Sequence, residues 1–369
     1  MFNFDKKTEQ VIRCIADFAD KINVKVYFVG GMVRDQLMGI EIKDIDILIE
    51  GSAIDFIQKF AVECKDVLDI EIKSVHESFD TAKSVIEGIE IDFASTRKEI
   101  YPYSGCLPVV TKTGCSIEED LKRRDFTVNS IAARIVCNDN GLNYEIIDPF
   151  KGKDDIKKKT LTVLHDKSYI DDPTRILRGL DFILRFGFDF SPEDKKLIKE
   201  YLESPDREGL STDRVKLTLK KLFLKPDRAK EAYIRILDEK YYKIFEDEPS
   251  FKKDWAQRLL DSVSIFNAPS SEVFLGAIFE NIKVCKVLSF DASNYDIYNF
   301  YKTFSNKDLA LQYSVSDDKT AIFYFKKLKN IKPDITGDDL LKQGYTQGKE
   351  LGCELTRRFQ EKLNSIKRN

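Results

Sequence analysis

Two aspartates, Asp44 and Asp46, stand one residue apart at the head of the apolar run DIDILIEG. Successive strand residues alternate faces, so a strand here sends both carboxylates to one side. Two such charges about 4 Å apart repel by about 1 kcal/mol in water, and several-fold more at lower effective dielectric. A cation has to offset that repulsion. Oxygen ligands suit a hard divalent ion such as Mg2+, and ions about 3.5–4 Å apart clamp the attacking and leaving oxygens of an in-line displacement. An exposed edge strand with its polar residues outward would show the same pair, so the spacing alone leaves both readings open. Upstream, Gly30 and Gly31 separate the apolar run VKVYFV from MVRDQLM. Glycines between a strand and a helix let backbone N–H groups approach phosphate oxygens, and Arg34, one turn further on, can reach the same phosphates. Phosphate on one side and metal on the other is the arrangement nucleotidyl transfer requires, because that chemistry is mostly positioning and charge neutralisation.

Three further segments carry candidate groups. In RRDFTVN, Arg123 and Arg124 are suited to hold a triphosphate, while Asp125 and Asn129, on one face if the segment is helical, are suited to ribose hydroxyls. In the helix expected at DDPTRILRGLDF, Asp172 and Arg175 are three apart and share a face. A carboxylate accepts from an exocyclic amino group and a guanidinium donates to the adjacent ring nitrogen or carbonyl, a match for cytosine and adenine but not for uracil or guanine. A plain i, i+3 salt bridge on a helix surface is the alternative. Arg178 joins the nucleotide-binding candidates. Asp92, in IEIDFASTR, is either a third carboxylate near the metal or a strand-end partner of Arg97 or Lys98.

These groups need elements to hold them. TEQVIRCIADFADKI places Val11, Ile12, Ile15, Phe18, Ala19 and Ile22 at helical spacing. VKVYFVG and DIDILIEG read as strands, and IEIKSV, FDTAKSVI and IEIDFAS add partial alternation, so a mixed sheet of about five strands is expected up to about residue 100. The stretch from Glu99 and Tyr101 through PYSGCLPVVTKTG reads as a mobile connector. From about residue 118 helical patterns dominate, with Pro173 and Pro192 near helix starts. The net charge of −3 argues neither for nor against a polyanionic partner, so any such site must be a local patch. The C-terminal stretch ELTRRFQEKLNSIKRN, with five basic residues against two acidic ones, is one. Seven scattered cysteines without a C-x-x-C pair fit reduced thiols, and His76 and His165 read as structural residues, so a His-based metal centre is disfavoured. The absence of a long apolar span or leader pattern leads to the expectation of a soluble, cytoplasmic protein without membrane partners.

Taken together, VGGMVRDQLMG…KDIDILIEG resembles the first motif of the class II nucleotidyltransferases, the family of tRNA CCA-adding enzymes and bacterial poly(A) polymerases. EEDLKRRDFTVNSIA resembles its basic second motif, IIDPFKGKDDI its Asp-Pro-Phe-Gly-Gly segment, DDPTRILRGLDF its nucleotide-selecting helix, STDRVKLTLKKLF the helix that follows, and GDDLLKQGYTQGKELG an element near the C-terminus of some members. The resemblance implies an α+β fold: a nucleotidyltransferase head with a small mixed sheet, then an all-α half. The expected parts are a head at 1–135, nucleotide-selecting neck helices at 136–220, and a tRNA-binding body and tail at 221–369. It implies addition of C and A to tRNA 3′ ends from CTP and ATP with Mg2+ as cofactor, and catalytic roles for Asp44 and Asp46, with Asp92 the candidate third carboxylate. RNA contacts are expected at Lys342, Lys349, Arg357 and Arg358. The alternatives are poly(A) synthesis, a CC-only or A-only enzyme, and an inactive RNA-binding protein. The basic signature typical of bacterial poly(A) polymerases is missing from SVHESFDTAKSV, and the intact Asp44/Asp46 pair speaks against a dead site. Three positions depart from the family pattern: Lys151 for a glycine, Asp171 for a glutamate, and Asp181 for an arginine, the last free to pair with Arg178 or Arg185.

Overall fold

A computed structural model describes residues 2, 4–42, 44–138, 141–204, 209–246, 249–280 and 288–368. The chain forms two compact units, Met1–Ser211 and Thr212–Asn369. The first opens with α1 (Lys6–Lys21), whose N-terminus is capped by Asp5 accepting from the Thr8 N–H at 2.8 Å. There follow β1 (Val26–Val29), α2 (Gly31–Leu37), β2 (Ile45–Ile49), α3 (Ala53–Cys64), β3 (Ile70–His76), β4 (Thr81–Ile86) and β5 (Ile89–Ser95). Then come β6 (Arg97–Ile100), β7 (Val109–Thr113), α4 (Ile117–Leu121), β8 (Ala132–Asn138) and β9 (Gly141–Ile147). The unit ends with α5 (Gly152–Lys158), the two-residue strand β10 (Thr160–Leu161), α6 (Ser168–Asp171), α7 (Thr174–Phe186), β11 (Asp189–Phe190) and α8 (Pro192–Glu203).

The main sheet has seven strands in the order β3-β4-β5-β2-β1-β8-β9, two more than the sequence patterns suggested. β8 and β9 arise beyond residue 118, where helices were expected. The buried strand β1 has two edges to satisfy; β2 takes one and β8 the other, with Phe28 opposite Ala133. Only β2 and β5 pair in parallel within this sheet. Alternation then sorts the side chains. Val26, Phe28, Ile45, Ile47, Ile49, Ile91 and Phe93 join α1 and α3 in one apolar core through Ile12, Ile15, Phe18, Phe56 and Phe60. Tyr27, Val29 and Leu48 face the other way, against Ile117 and Leu121 of α4. Asp46 and Asp92 share the parity of Leu48, so they lie on this second face.

β6 and β7 form a separate antiparallel hairpin with a bulge at Lys98/Glu99. The stretch read as a connector is therefore partly strand, with Glu99 and Val110 paired across it. The RRDFTVN segment is not an α-helix: α4 ends at Leu121, and only Thr127–Asn129 form a short 3-10 turn.

The second unit is helical: α9 (Thr212–Leu222), α10 (Pro226–Asp238), α11 (Trp255–Ile265), α12 (Ser270–Phe279), α13 (Asn294–Tyr301), α14 (Asn306–Ser316), α15 (Lys319–Phe323), α16 (Gly337–Lys342) and α17 (Lys349–Asn364). Its core gathers on Phe274, whose ring lies 5.5 Å from Phe223 and 5.8 Å from Tyr233. No helix among the described residues is long and apolar enough to cross a membrane, and none of the described cysteines forms a disulfide; Cys285 lies outside the described residues.

The IIDPFKGKDDI segment is a structural joint. Asp148 accepts from the N–H groups of Gly152 and Lys153 at 2.7 and 3.0 Å, which caps α5. Lys151 stands at φ 59°, a left-handed conformation that glycine adopts without strain and lysine does not. A Cβ on Gly152 would lie 2.2 Å from the Thr127 carbonyl oxygen. Gly152→Ala is therefore expected to push α5 off the turn that carries Asn129, at a cost of about 1–3 kcal/mol, read as a lower melting temperature. An unchanged melting temperature would mean that α5 shifts freely.

Candidate active site

β2 begins at Ile45, so Asp44 stands at the approach to the strand rather than within it. It is exposed, whereas Asp46 is half-buried. Parallel pairing sets Asp46 directly beside Asp92 in register. Burial, then Asp92, then Asp44 push the Asp46 carboxyl above the ordinary aspartate range, while Arg124 and Lys83 pull it back. Both neighbouring carboxylates thus act on Asp46. Asp92 is not tied to Arg97, which pairs with Glu99 at 2.6 Å, nor to Lys98, which pairs with Glu119. Its cationic neighbour is Lys83 on β4, at 3.9 Å. The donor set is all oxygen and crowded with negative charge, which fits a hard divalent ion. Among the described residues, no group of three or more His, Cys, Asp or Glu closes tightly enough to hold an ion unaided.

The Gly30–Gly31 turn leads from β1 into α2. Gly30 has φ 62°, and a Cβ there would stand 2.7 Å from Arg124 Nη1. Bare backbone at this point lets the guanidinium lie against the turn. Arg34, expected to reach phosphate, is instead buried. Its Nε and Nη2 donate to Asp35 at 2.8 and 2.6 Å, its Nη1 donates to Asn129 Oδ1 at 2.5 Å, and its guanidinium lies 4.8 Å from the Phe182 ring centroid. Asn129 in turn donates to Asp125 Oδ1 at 2.8 Å. Arg178 Nη2 sits 2.6 Å from Asp125 Oδ2, an ion pair at an angle poor for hydrogen bonding. Burial works to raise the Asp125 carboxyl, but Arg178, Asn129 and the Phe126 N–H outweigh it and hold it below the usual range. Asp35, Arg34, Asn129, Asp125 and Arg178 therefore form one chain of polar contacts from α2 to α7.

Asp172 lies just before α7, which starts at Thr174, so Asp172 and Arg175 do not share a helix face. Asp172 Oδ1 accepts from the Thr174 N–H and hydroxyl at 3.1 and 2.6 Å. Arg175 is buried; it donates to Ser168 Oγ, to the Arg123 carbonyl at 3.2 Å and to the Tyr101 hydroxyl at 3.4 Å. The two are still near neighbours electrostatically, since both act on Tyr101. Arg178, with half its side chain exposed, is the most accessible cation of this helix face. Asp181 pairs with Arg185 at 3.2 Å, one of the two partners foreseen for it.

Residues 26–162 match the Poly A polymerase head domain. An A-adding tRNA nucleotidyltransferase of Geobacter sulfurreducens is 39% identical over 197 residues, 53% of this chain and 21% of the relative. An A-adding tRNA nucleotidyltransferase of Aquifex aeolicus is 31% identical over 395 residues, 93% of this chain and 45% of the relative. A solved CCA-adding enzyme in complex with ATP superposes with a TM-score of 0.79 at 27% identity, covering 99% of this chain and 93% of that one. The chain carries the Poly A polymerase head domain at residues 26–162 and shares the fold of that CCA-adding enzyme. It spans less than half the length of these curated relatives.

The C-terminal residues singled out by sequence are placed unevenly. Lys342 at the end of α16 and Lys349 at the start of α17 are exposed. Arg357 is already paired with Glu354 at 2.8 Å and Glu361 at 2.5 Å, and Arg358 with Glu354 at 2.7 Å. Hydrogen bonds from both arginines hold the Glu354 carboxyl down at about 2. Sequence reasoning passed over Asp120, Glu99 and Lys83. Asp120 lies inside the second motif with Arg123 and Arg124 three and four residues on, a spacing that could have announced it, whereas Glu99 meets Arg123 and Lys83 meets Asp92 from other elements.

The charge on Asp46 gives a stability prediction. Its carboxyl is raised in the folded chain, so the penalty for ionising it is absent below about pH 4, where aspartate is protonated in either state, and complete above its folded value. In chelator-treated protein, Asp46→Asn should raise the melting temperature at pH 7, and the gain should fade as the pH drops toward 4. A loss of stability at pH 7 would contradict the crowding described above.

Proposed function

We propose that this chain transfers nucleotidyl groups from ATP, and from CTP if it makes the whole CCA end, onto the 3′ end of tRNA without a template. The carrying observation is one sheet face that sets Asp44, Asp46 and Asp92 together within electrostatic reach of an arginine lying on the Gly30 turn. In the reaction the terminal 3′-hydroxyl oxygen bonds to the α-phosphorus, the bond from that phosphorus to the bridging oxygen breaks, pyrophosphate leaves and the hydroxyl proton passes to solvent. Asp44, Asp46 and Asp92 would hold the metal, for which Mg2+ is the proposed ion. That ion supplies charge neutralisation at the phosphates and a more acidic 3′-hydroxyl. Gly30 and Gly31 present backbone to the phosphates, and Arg124, with Arg123 behind it, balances their charge. Asp125 and Asn129, already bonded to each other, are assigned to the ribose edge. Asp172, Arg175 and Arg178 are assigned to the base. Arg34 is reassigned from phosphate contact to holding Asn129 in place.

The head, neck and body partition at 1–135, 136–220 and 221–369 is kept as a functional division, with the neck lying in the first unit as far as Ser211. Lys342 and Lys349 are the tail residues best free to neutralise tRNA phosphates; Arg357 and Arg358 would first have to leave Glu354. Addition of the final A alone is the second reading, favoured by the A-adding relatives.

Labelled ATP and CTP offered to tRNAs ending before, within and after CCA test the proposal. A added to tRNA ending in CC is expected under both readings. C added to tRNA lacking CC marks a CCA enzyme, and its absence an A-only enzyme. Asp46→Ala should lower either addition by roughly a thousandfold or more. No transfer to any of these tRNAs, or transfer surviving in Asp44→Ala/Asp46→Ala, would sink the assignment.

A further inference from the structure

Asp120 is fully buried, with 0% of its surface exposed, and no step proposed above uses it. A buried carboxylate is costly unless its oxygens are satisfied, and these are satisfied five times over. Oδ1 accepts from Arg123 Nε at 3.0 Å, Arg123 Nη2 at 2.9 Å and the Arg97 N–H at 3.0 Å. Oδ2 accepts from Arg124 Nε at 3.2 Å and Arg124 Nη2 at 3.0 Å. One carboxylate thus grips two guanidiniums, each by the same Nε–Nη2 edge. Burial alone would raise its pKa, but Arg124 and Arg123 outweigh that and keep it ionised.

What each arginine does with its remaining groups differs. Gripped by its far edge, Arg124 is turned so that Nη1 lies against Gly30, and no described residue offers that nitrogen a hydrogen bond. Its free donors therefore face the backbone turn. Arg123 spends Nη1 on Glu99 at 3.3 Å, and its carbonyl oxygen accepts from Arg175 Nη2 at 3.2 Å. The segment fixed by Asp120 thus ends on one side at the glycine turn and on the other at the guanidinium assigned to the base.

Resting on the nucleotidyl-transfer reading above, we propose that Asp120 is a positioning residue that sets the grip on the triphosphate through Arg124 and the seat of the base-reading Arg175 through Arg123. Asp120→Asn keeps the shape but replaces one acceptor oxygen with an amide that cannot face a guanidinium. In the folded variant the KM for ATP should rise roughly ten- to a hundredfold, the scale of hydrogen bonds to charged groups, and the preference for ATP over GTP should shrink. Asp194→Asn is the control: Asp194 is equally buried and accepts from the Tyr169 hydroxyl at 2.6 Å, but it lies outside the site. It should lower the melting temperature and leave both the KM and the ATP/GTP ratio alone.

If Asp120→Asn does not fold, the two arginines separate the arms. Arg124→Lys should raise the KM for ATP and GTP alike. Arg123→Lys should reduce the ATP/GTP ratio with a smaller change in KM. The inference is overturned by a folded Asp120→Asn with wild-type KM and ratio, or by the same kinetic change in both lysine variants. A wild-type protein that transfers no nucleotide at all would instead overturn the reading on which it rests.

Discussion

Parallel pairing of β2 with β5 brings Asp46 alongside Asp92, with Asp44 at the mouth of the same strand. Negative charge is concentrated where a protein alone gains nothing from it, and the surrounding structure is organised around that. One sheet face is sealed by α1 and α3 with aliphatic and aromatic side chains, so it has no room for ionised groups. The carboxylates are confined to the opposite face, where α4 covers only part of the sheet through Ile117 and Leu121. The residue after α4 leads straight into Arg123 and Arg124, and Arg124 returns positive charge toward Asp46. Strand alternation and one parallel pairing together account for the clustering of the acids.

The basic side of the site is built by the same logic with signs reversed. Arginines that would repel one another are separated and oriented by buried acids: Asp120 for Arg123 and Arg124, Glu99 for Arg97 and Arg123, Asp125 for Arg178. Arg34 goes further, lying within 4.8 Å of the Phe182 ring centroid while bonded to Asp35 and Asn129. It ties the first-motif turn to α7, so the glycine turn and that helix are mechanically connected through a buried cation.

The paired aspartates, the glycine turn and the order of motifs were legible because they depend on local geometry: alternation on a strand, backbone access at glycine, spacing along a segment. β3, β4 and β5 were legible for the same reason. β8 and β9 were not, since AARIVCN gives little alternation and becomes a strand only by satisfying the open edge of β1. The reading of Asp172 and Arg175 as a shared helix face failed because Pro173 caps the helix between them, with α7 starting only at Thr174. The burial of Arg34 was not legible because the residues that bury it, Asn129 and Phe182, are about 100 to 150 positions away. Two departures from the family pattern proved locally tolerable: Lys151 takes the left-handed conformation itself, and Asp181 finds Arg185 one turn on.

On the proposed reading, the face bearing Asp46 and Asp92, with Asp44 at its edge, takes a divalent ion together with nucleotide phosphates. Mn2+ binding followed by electron paramagnetic resonance, with and without ATP, tests it without relying on turnover. Binding to the protein alone should be weak, binding with ATP present should be markedly tighter than ATP in buffer can explain, and that gain should be lost in Asp46→Asn. Equal Mn2+ affinity in the wild type and Asp46→Asn with ATP present would contradict it.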